Sequence, residues 1–240
     1  MKEFFLNNKF IYLYLILAIL TCLTEVFNLA ILRYITKPLL CLTLLVYFIY
    51  YDNGIKNNTS SPNILSKLVC CALVFSCMGD TLLIFPQFFV FGLVAFLIAH
   101  VSYVLTFYKD IKGWNKLKNK RIQATILLVI IYLIIFYSSI QSKLFELKIP
   151  VITYMIIISL MFILALLRDA KSGYISVLIG ALLFVISDSF LAIDKFVGHF
   201  YLASLVIMMS YLLAQFLIIY GLLRRYSLAE KITLLPIEHI

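Results

Sequence analysis

The stretch Gly180-Ala-Leu-Leu-Phe-Val-Ile-Ser-Asp188-Ser-Phe-Leu-Ala-Ile-Asp-Lys195-Phe196 decides the fold, because it carries a carboxylate deep inside an apolar run. Placing Asp188 in hydrocarbon would cost about 2.5 to 3.5 kcal/mol, so the side chain is expected to face the protein interior or a wet cavity. The same pattern occurs earlier, in Cys77-Met-Gly-Asp80-Thr-Leu-Leu83. Each acid is followed 23 residues later by a tyrosine, Tyr103 or Tyr211. Two intramembrane acids at matched positions predict a functional site.

Composition indicates a polytopic membrane protein. Hydrophobic residues make up 64% of the 240 residues and charged residues 13%, whereas soluble domains have about 45–50% apolar and about 25% charged residues. The formal charge of +9 comes mainly from Lys and Arg between apolar runs, where these residues orient a chain in the membrane. We therefore expect no nucleic-acid partner.

The five cysteines lie in apolar runs without the spacing of a zinc site or a disulfide framework, so we expect packing roles for them. We expect neither a metal nor a cofactor.

Runs long enough to cross a bilayer predict an all-α membrane protein with a bundle of eight transmembrane helices. A helix needs about 20 apolar residues for one crossing. The runs lie at about 10–28, 31–51, 64–86, 88–108, 122–141, 149–168, 174–194 and 199–223. They lack the alternation of barrel strands. No stretch suits a separate soluble domain, so residues 1–240 are predicted to form a single integral membrane domain.

The positions of Lys and Arg predict the orientation of the helices. Most of the 20 lie at the two ends of the chain and in the second, fourth and sixth loops, so both termini are predicted to be cytoplasmic. The offset between Asp80 and Asp188 then relates helices of the same orientation, which predicts a 4+4 parallel internal repeat with a site between the halves. At about 1.5 Å per residue, both acids and Lys37 fall in the non-cytoplasmic half of the membrane, where we expect them to cluster.

Other polar side chains are candidates for lining this site or for tuning the protonation of the acids. They are His100, Tyr103, Tyr154, Ser187, Tyr211 and Gln215. For His100 and Gln215, hydrogen bonding between helices is the simpler interpretation, and most of the 16 tyrosines are expected to pack or to anchor the helices. Glu25 and Asp194 fall near helix ends and are expected to be solvated.

Five segments together carry a family pattern. They are Thr36-Lys37-Pro38-Leu39, Met78-Gly-Asp80-Thr-Leu-Leu83, Gly92-Leu-Val-Ala-Phe96-Leu-Ile-Ala-His100-Val-Ser-Tyr103, Gly180 to Ala192, and Tyr211-Leu-Leu-Ala-Gln215. In this order and spacing, over about residues 31–223, they resemble the YhhN family of membrane proteins, whose animal members are lysoplasmalogenases. The resemblance implies an eight-helix bundle that hydrolyses the vinyl ether bond of a lysoplasmalogen, giving a fatty aldehyde and a glycerophospho-alcohol. It also implies Asp80 and Asp188 as the catalytic pair, with Lys37 and His100 near them and a lysophospholipid as the substrate.

The chemistry of this reaction suits two carboxyl groups. Opening a vinyl ether requires a proton on its β-carbon, which produces an oxocarbenium ion that water then captures. One carboxyl group would donate the proton while the other stabilises the cation and activates water, with Lys37 favouring the ionised form of one of them. Either Asp80 or Asp188 could be the acid, and the two would titrate as a coupled pair.

Competing hydrolase mechanisms lack their motifs. The sequence has no Gly-x-Ser-x-Gly and no His-x-x-x-His. The serines next to Asp188 would not face it, because successive helical positions point in different directions. A metal-dependent hydrolase of lipid amides would require Asp80, Asp188 and His100 to converge.

A second class of function is a proton- or cation-coupled secondary transporter, in which the acids would bind the coupling ion at the repeat interface. Broken helices would favour a transporter, but Gly and Pro rarely interrupt the runs, and Pro38 is expected at the start of the second helix. A structural membrane scaffold is a third alternative. The Lys-, Asn- and Ile-rich loops suggest a bacterial inner membrane, and protein partners cannot be predicted.

Overall fold

The computed structural model describes residues 9–27, 29–56 and 63–233. Within these ranges the regular structure is helical, with no strand. The eight long helices are α1 (Lys9–Val26), α2 (Ala30–Lys56), α3 (Asn63–Leu83), α4 (Phe89–Tyr108), α5 (Lys120–Ile140), α6 (Lys148–Leu167), α7 (Tyr174–Ala192) and α8 (Ala203–Thr233). Short 3₁₀ helices precede α4, α5 and α6, and one π-helical turn, Ile193–Val197, follows α7.

Each predicted apolar run coincides with one of these helices, which confirms an all-helical membrane protein. Seven of the described helices are long and apolar enough to cross a membrane, whereas the apolar part of α1 is shorter. The predicted bounds differ most at 31–51 and 199–223. Both helices continue into polar sequence, to Lys56 and Thr233, because backbone hydrogen bonding does not require apolar side chains.

Pro38 lies inside α2, not at its start as expected. The helix begins at Ala30, so Pro38 removes a backbone N–H from the interior of the helix. Membrane helices tolerate this loss because neighbouring helices can satisfy the groups that it frees. The Sγ of Cys77 on α3 lies 3.7 Å from the Pro38 carbonyl oxygen, so α3 packs against the helix at this position.

Glycines let two pairs of helices approach closely, α3 with α4 and α7 with α8. A Cβ atom on Gly79 would lie 2.6 Å from the ring of Phe96, and one on Gly180 would lie 2.8 Å from the carbonyl oxygen of Ala214. Small residues at helix contacts are typical of membrane bundles, where packing replaces the hydrophobic effect. These contacts fix α3 and α7, the two helices that carry the acids.

A buried ion pair joins the ends of α4 and α6. Arg168 donates from Nε and Nη2 to Asp110 Oδ2 at 2.8 and 2.7 Å. In the adjoining loops, the Lys112 backbone N–H donates to Asp169 Oδ2 at 2.7 Å, and Lys116 Nζ lies 3.3 Å from Asp169 Oδ1. The Lys112 hydrogen bond, followed by contacts with Lys116, holds the pKa of Asp169 below its ordinary value. These contacts tie the loop after α4 to the loop after α6.

Helix α5 lies at the edge of the bundle. Ile140 is its single buried residue, and side chains such as Leu127, Leu128 and Ile134 are exposed. An apolar helix of this kind is stable in a bilayer, because lipid chains are as apolar as its side chains. It is therefore loosely packed beside α6 and α7.

Candidate functional site

Asp80 is enclosed between α2, α3 and α8. Tyr211 OH donates to Asp80 Oδ2 at 2.7 Å, and Cys41 Sγ donates to the same oxygen at 3.1 Å. The residue is 7% exposed. Protein contacts therefore satisfy Oδ2 of this buried carboxyl group.

Gln215 extends the hydrogen-bond network around Asp80. Its Oε1 accepts a hydrogen bond from Tyr103 OH at 2.8 Å. Its Nε2 donates to Ser76 Oγ at 2.9 Å and to Tyr211 OH at 3.4 Å. The two tyrosines that follow the acids at equal spacing in the sequence therefore belong to one network, and that network surrounds Asp80.

Asp188 has different surroundings. Tyr154 OH donates to Asp188 Oδ2, and His100 Nε2 lies 3.8 Å from the same oxygen. The Asp188 side chain is 14% exposed and lines a cavity between α4, α5, α6 and α7. A molecule that enters this cavity can reach Asp188.

The tautomer of His100 follows from its backbone contact. Nδ1 lies 2.6 Å from the carbonyl oxygen of Phe96. A carbonyl only accepts hydrogen bonds, so Nδ1 carries the proton and Nε2 of the neutral ring carries a lone pair. Nε2 is buried and has no hydrogen-bond partner among the described residues. It is therefore an acceptor available beside Asp188.

Two phenylalanine rings lie between the surroundings of the two acids. The ring centre of Phe184 is 4.7 Å from that of His100 and 5.5 Å from that of Tyr211. Phe96 contacts the same two rings, at 6.4 and 5.7 Å. The carboxyl groups of Asp80 and Asp188 are near enough to interact electrostatically, but they have different hydrogen-bond partners.

Lys37 forms its ion pair with Glu25, not with either aspartate. Its Nζ lies 2.8 Å from Glu25 Oε1, and Arg33 Nη1 lies 3.4 Å from Glu25 Oε2. The expectation that Glu25 is solvated was wrong, since its side chain is 3% exposed beneath these two cations. Lys37 is within electrostatic range of Asp80. Lys37 therefore pairs with Glu25 and acts on Asp80 only through its charge.

Two serines flank Asp188, and the structure separates their roles. Ser187 Oγ donates to the Ile207 carbonyl oxygen at 3.0 Å and so links α7 to α8. Ser189 Oγ contacts Tyr132 OH, and both residues line the cavity with Asp188. Ser187 was predicted to line the site. In the structure, Ser189 and Tyr132 line the cavity instead.

The cavity at Asp188 is narrow, with about 50 Å³ of space for water-sized molecules. Apart from the carboxyl and hydroxyl groups of Asp188, Tyr132, Tyr154, Ser159 and Ser189, its lining is apolar. A cavity of this kind suits the reactive polar part of an amphiphile, placed at Asp188 between apolar walls.

The described part of the chain has no set of side chains suited to bind a metal ion. No group of three or more His, Cys, Asp or Glu side chains there could hold a metal ion. The convergence that a metal-dependent amide hydrolase would require of Asp80, Asp188 and His100 is not present among these residues.

Comparison with known proteins identifies the family. The human lysoplasmalogenase TMEM86B is 35% identical over 159 residues, which cover 66% of this chain and 65% of the human protein. The mouse lysoplasmalogenase TMEM86B is 32% identical over 193 residues, or 80% of this chain and 75% of the mouse protein. The match thus spans just under two thirds of the human relative's length. No solved structure matches the chain. A sequence model of the YhhN family matches residues 32–222, so the chain belongs to the YhhN family.

Proposed function

We propose that the protein is an intramembrane hydrolase that cleaves the vinyl ether bond of a lysoplasmalogen or a related lysolipid. The products are a fatty aldehyde and a glycerophospho-alcohol. The observation that carries this proposal is the position of Asp188, partly exposed in an apolar cavity and in contact with Tyr154 and His100. The names of the human and mouse relatives support the choice of substrate.

The reaction adds one water molecule in three steps. Asp188 in its acid form gives its proton to the β-carbon, whose new C–H bond takes the π electrons, and an ether oxygen lone pair completes the oxocarbenium ion. Water then adds to the α-carbon and gives a proton to the Asp188 carboxylate, forming a hemiacetal. Its C–O bond to glycerol breaks as Asp188 passes that proton to the departing oxygen. The hemiacetal O–H proton moves to the Asp188 carboxylate as the aldehyde C=O forms, which restores the acid.

Asp80 acts in this mechanism through its charge. It contacts Tyr211 and Cys41 within the bundle, so its carboxylate stabilises the cation through its electrostatic field without touching the substrate. Preorganised charge in a site of low dielectric is an effective way to stabilise a charged transition state. Asp188 is therefore the proton donor and Asp80 the fixed counter-charge.

The arrangement in the membrane that we propose has eight crossings, both termini in the cytoplasm and a 4+4 parallel repeat. The tight α3–α4 and α7–α8 pairs, which occupy matching places in the two halves, support the repeat. The location is the inner membrane of a bacterium.

The orientation is tested with a variant in which the five native cysteines are replaced and Lys118→Cys supplies the single cysteine. In intact cells, a membrane-impermeant thiol reagent should label this variant only after permeabilisation. Labelling before permeabilisation would overturn the orientation.

The substrate class is tested with a panel of lysolipids and the purified protein. Free aldehyde should form from the vinyl ether lipid, while the ester and alkyl ether analogues with the same chain and head group remain intact, as measured by mass spectrometry. Release of a fatty acid from the ester would contradict the mechanism. A carrier, the alternative function, would return every lipid unchanged.

A further inference from the structure

A second cavity adjoins the one at Asp188. It has a volume of about 420 Å³ and lies between α5, α6 and α7. The two cavities share Tyr132, Ser159, Val185 and Ser189, so they lie side by side at these residues. We propose that the second cavity, here called the chain trough, binds the hydrocarbon chain of the substrate, which enters sideways from the bilayer between α5 and α7. This inference rests on the proposed function for the identity of the chain.

The chain trough begins at the reactive end of the site. The contact between Tyr132 and Ser189 sets the level of α5 against α7, next to Asp188. Seven residues earlier on each helix, Thr125 and Leu182 line the far part of the trough. At 1.5 Å per residue the trough extends about 10 Å from the level of Tyr132 and Ser189 to this far part. A chain attached to a vinyl ether at Asp188 can therefore follow it.

The lining of the chain trough specifies a hydrocarbon ligand. Its walls are formed mainly by aliphatic and aromatic side chains such as Leu128, Val129, Phe162 and Ile186, and no charged residue lines it. The Ser159 hydroxyl, at the junction of the two cavities, is buried and has no hydrogen-bond partner among the described residues. A polar group at the junction and apolar walls beyond it match an amphiphile whose chain points away from Asp188.

The packing of α5 provides the opening. Ile140, at the end of the helix, is its single buried residue, and the side of the trough formed by α5 carries exposed residues such as Leu128. Moving such a helix away from α7 exchanges few protein contacts for lipid contacts of similar strength. A lipid chain can therefore pass between α5 and α7 without crossing the polar ends of the bundle.

Val129→Trp tests the chain trough by filling it. Val129 lines the trough, whereas Leu127, two residues away on α5, is exposed and does not line it. Val129→Trp should lower kcat/KM for a long-chain lysoplasmalogen by about tenfold or more and leave a short-chain substrate that ends before this level little changed. The matched control Leu127→Trp should follow the wild type for both chains. The same chain-length profile for Val129→Trp and wild type would overturn the inference.

A binding experiment separates this inference from the proposed function. The probe is an alkyl ether lysophospholipid with a photoreactive diazirine in the middle of its chain, which does not need to be cleaved. After illumination, mass spectrometry should find the label within residues 125–132 and 182–193, and Val129→Trp should reduce it. Labelling there with no aldehyde formed from any lysolipid would retain the binding site and overturn the reaction. Labelling only elsewhere would overturn the chain trough.

Discussion

The surroundings of Asp80 and Asp188 differ, although the sequence presents the two acids in nearly the same way. Asp80 receives two hydrogen bonds from Tyr211 and Cys41 in an enclosed network. Asp188 receives one from Tyr154 and faces a cavity that opens to the outside. Access to the outside, not the local sequence, is therefore the reason why we propose Asp188 as the proton donor and Asp80 as the fixed charge.

The largest effect is expected from replacing either acid by asparagine. Asp188→Asn removes the proton donor and Asp80→Asn removes the counter-charge, so each variant should lose about 100- to 10,000-fold in turnover. The double variant should lose little more, because the two groups act as a unit. Asparagine is nearly isosteric and uncharged, so the variants should stay folded, as measured by their melting temperatures. Near wild-type turnover in both single variants would contradict the two-carboxylate site.

Replacing the tyrosines that contact the acids tests whether the surroundings of Asp80 and Asp188 differ. Tyr154→Phe removes a hydrogen bond at the open site and should lower turnover by about 10- to 100-fold with little change in melting temperature. Tyr211→Phe removes a donor from the enclosed network and leaves buried partners unsatisfied, so it should lower the free energy of unfolding by about 1–3 kcal/mol. Turnover and thermal unfolding are measured for both variants. Equal effects on both quantities would mean that the two acids have equivalent surroundings.

Lys37→Met should have a smaller effect. Lys37 shares Glu25 with Arg33, but Lys37 is the cation within electrostatic range of Asp80. Lys37→Met should lower turnover a few-fold, because the field at Asp80 changes, while Arg33→Met should change it less. Steady-state turnover of the two variants measures the difference. A larger loss in Arg33→Met would show that the ion pair with Glu25 acts by fixing α1 against α2.

The smallest effect is expected at Asp169, away from both acids. Its pKa is lowered in the folded state by the Lys112 hydrogen bond, so its contribution to stability is present above the ordinary carboxyl pKa of about 3.9 and is lost as the pH falls below it. Asp169→Asn should slightly lower the melting temperature from pH 5 to pH 8, and the difference from wild type should close below about pH 4. A difference that widens in acid would contradict the assignment.

The helices could be predicted from sequence because the cost of placing polar groups in lipid is large and acts on every residue. The same cost identified Asp80 and Asp188 as unusual. The predicted helix bounds were wrong where helices continue into polar sequence, as α2 does to Lys56. The predicted place of Pro38, at the start of the second helix, was wrong because membrane helices accept proline in their interior.

The contacts within the site could not be predicted, because they depend on which helix faces lie together. Glu25 was assigned to solvent, and its burial required the approach of Arg33 and Lys37 across the turn between α1 and α2. Cys41 was assigned to packing, since a cysteine in an apolar run has no distinguishing pattern, yet it donates to Asp80. For Cys41, the available signal was its place one helical turn after Lys37.

The most direct test of the vinyl ether mechanism follows the oxygen atom of the bond that breaks. The wild-type protein is incubated with a lysoplasmalogen in water labelled with oxygen-18, and the glycerophospho-alcohol is analysed by mass spectrometry. Attack of water on the oxocarbenium carbon leaves the original oxygen on glycerol, so we predict free aldehyde and an unlabelled glycerophospho-alcohol. Oxygen-18 in the glycerol hydroxyl would place the cleavage on the other side of the ether oxygen and contradict the account.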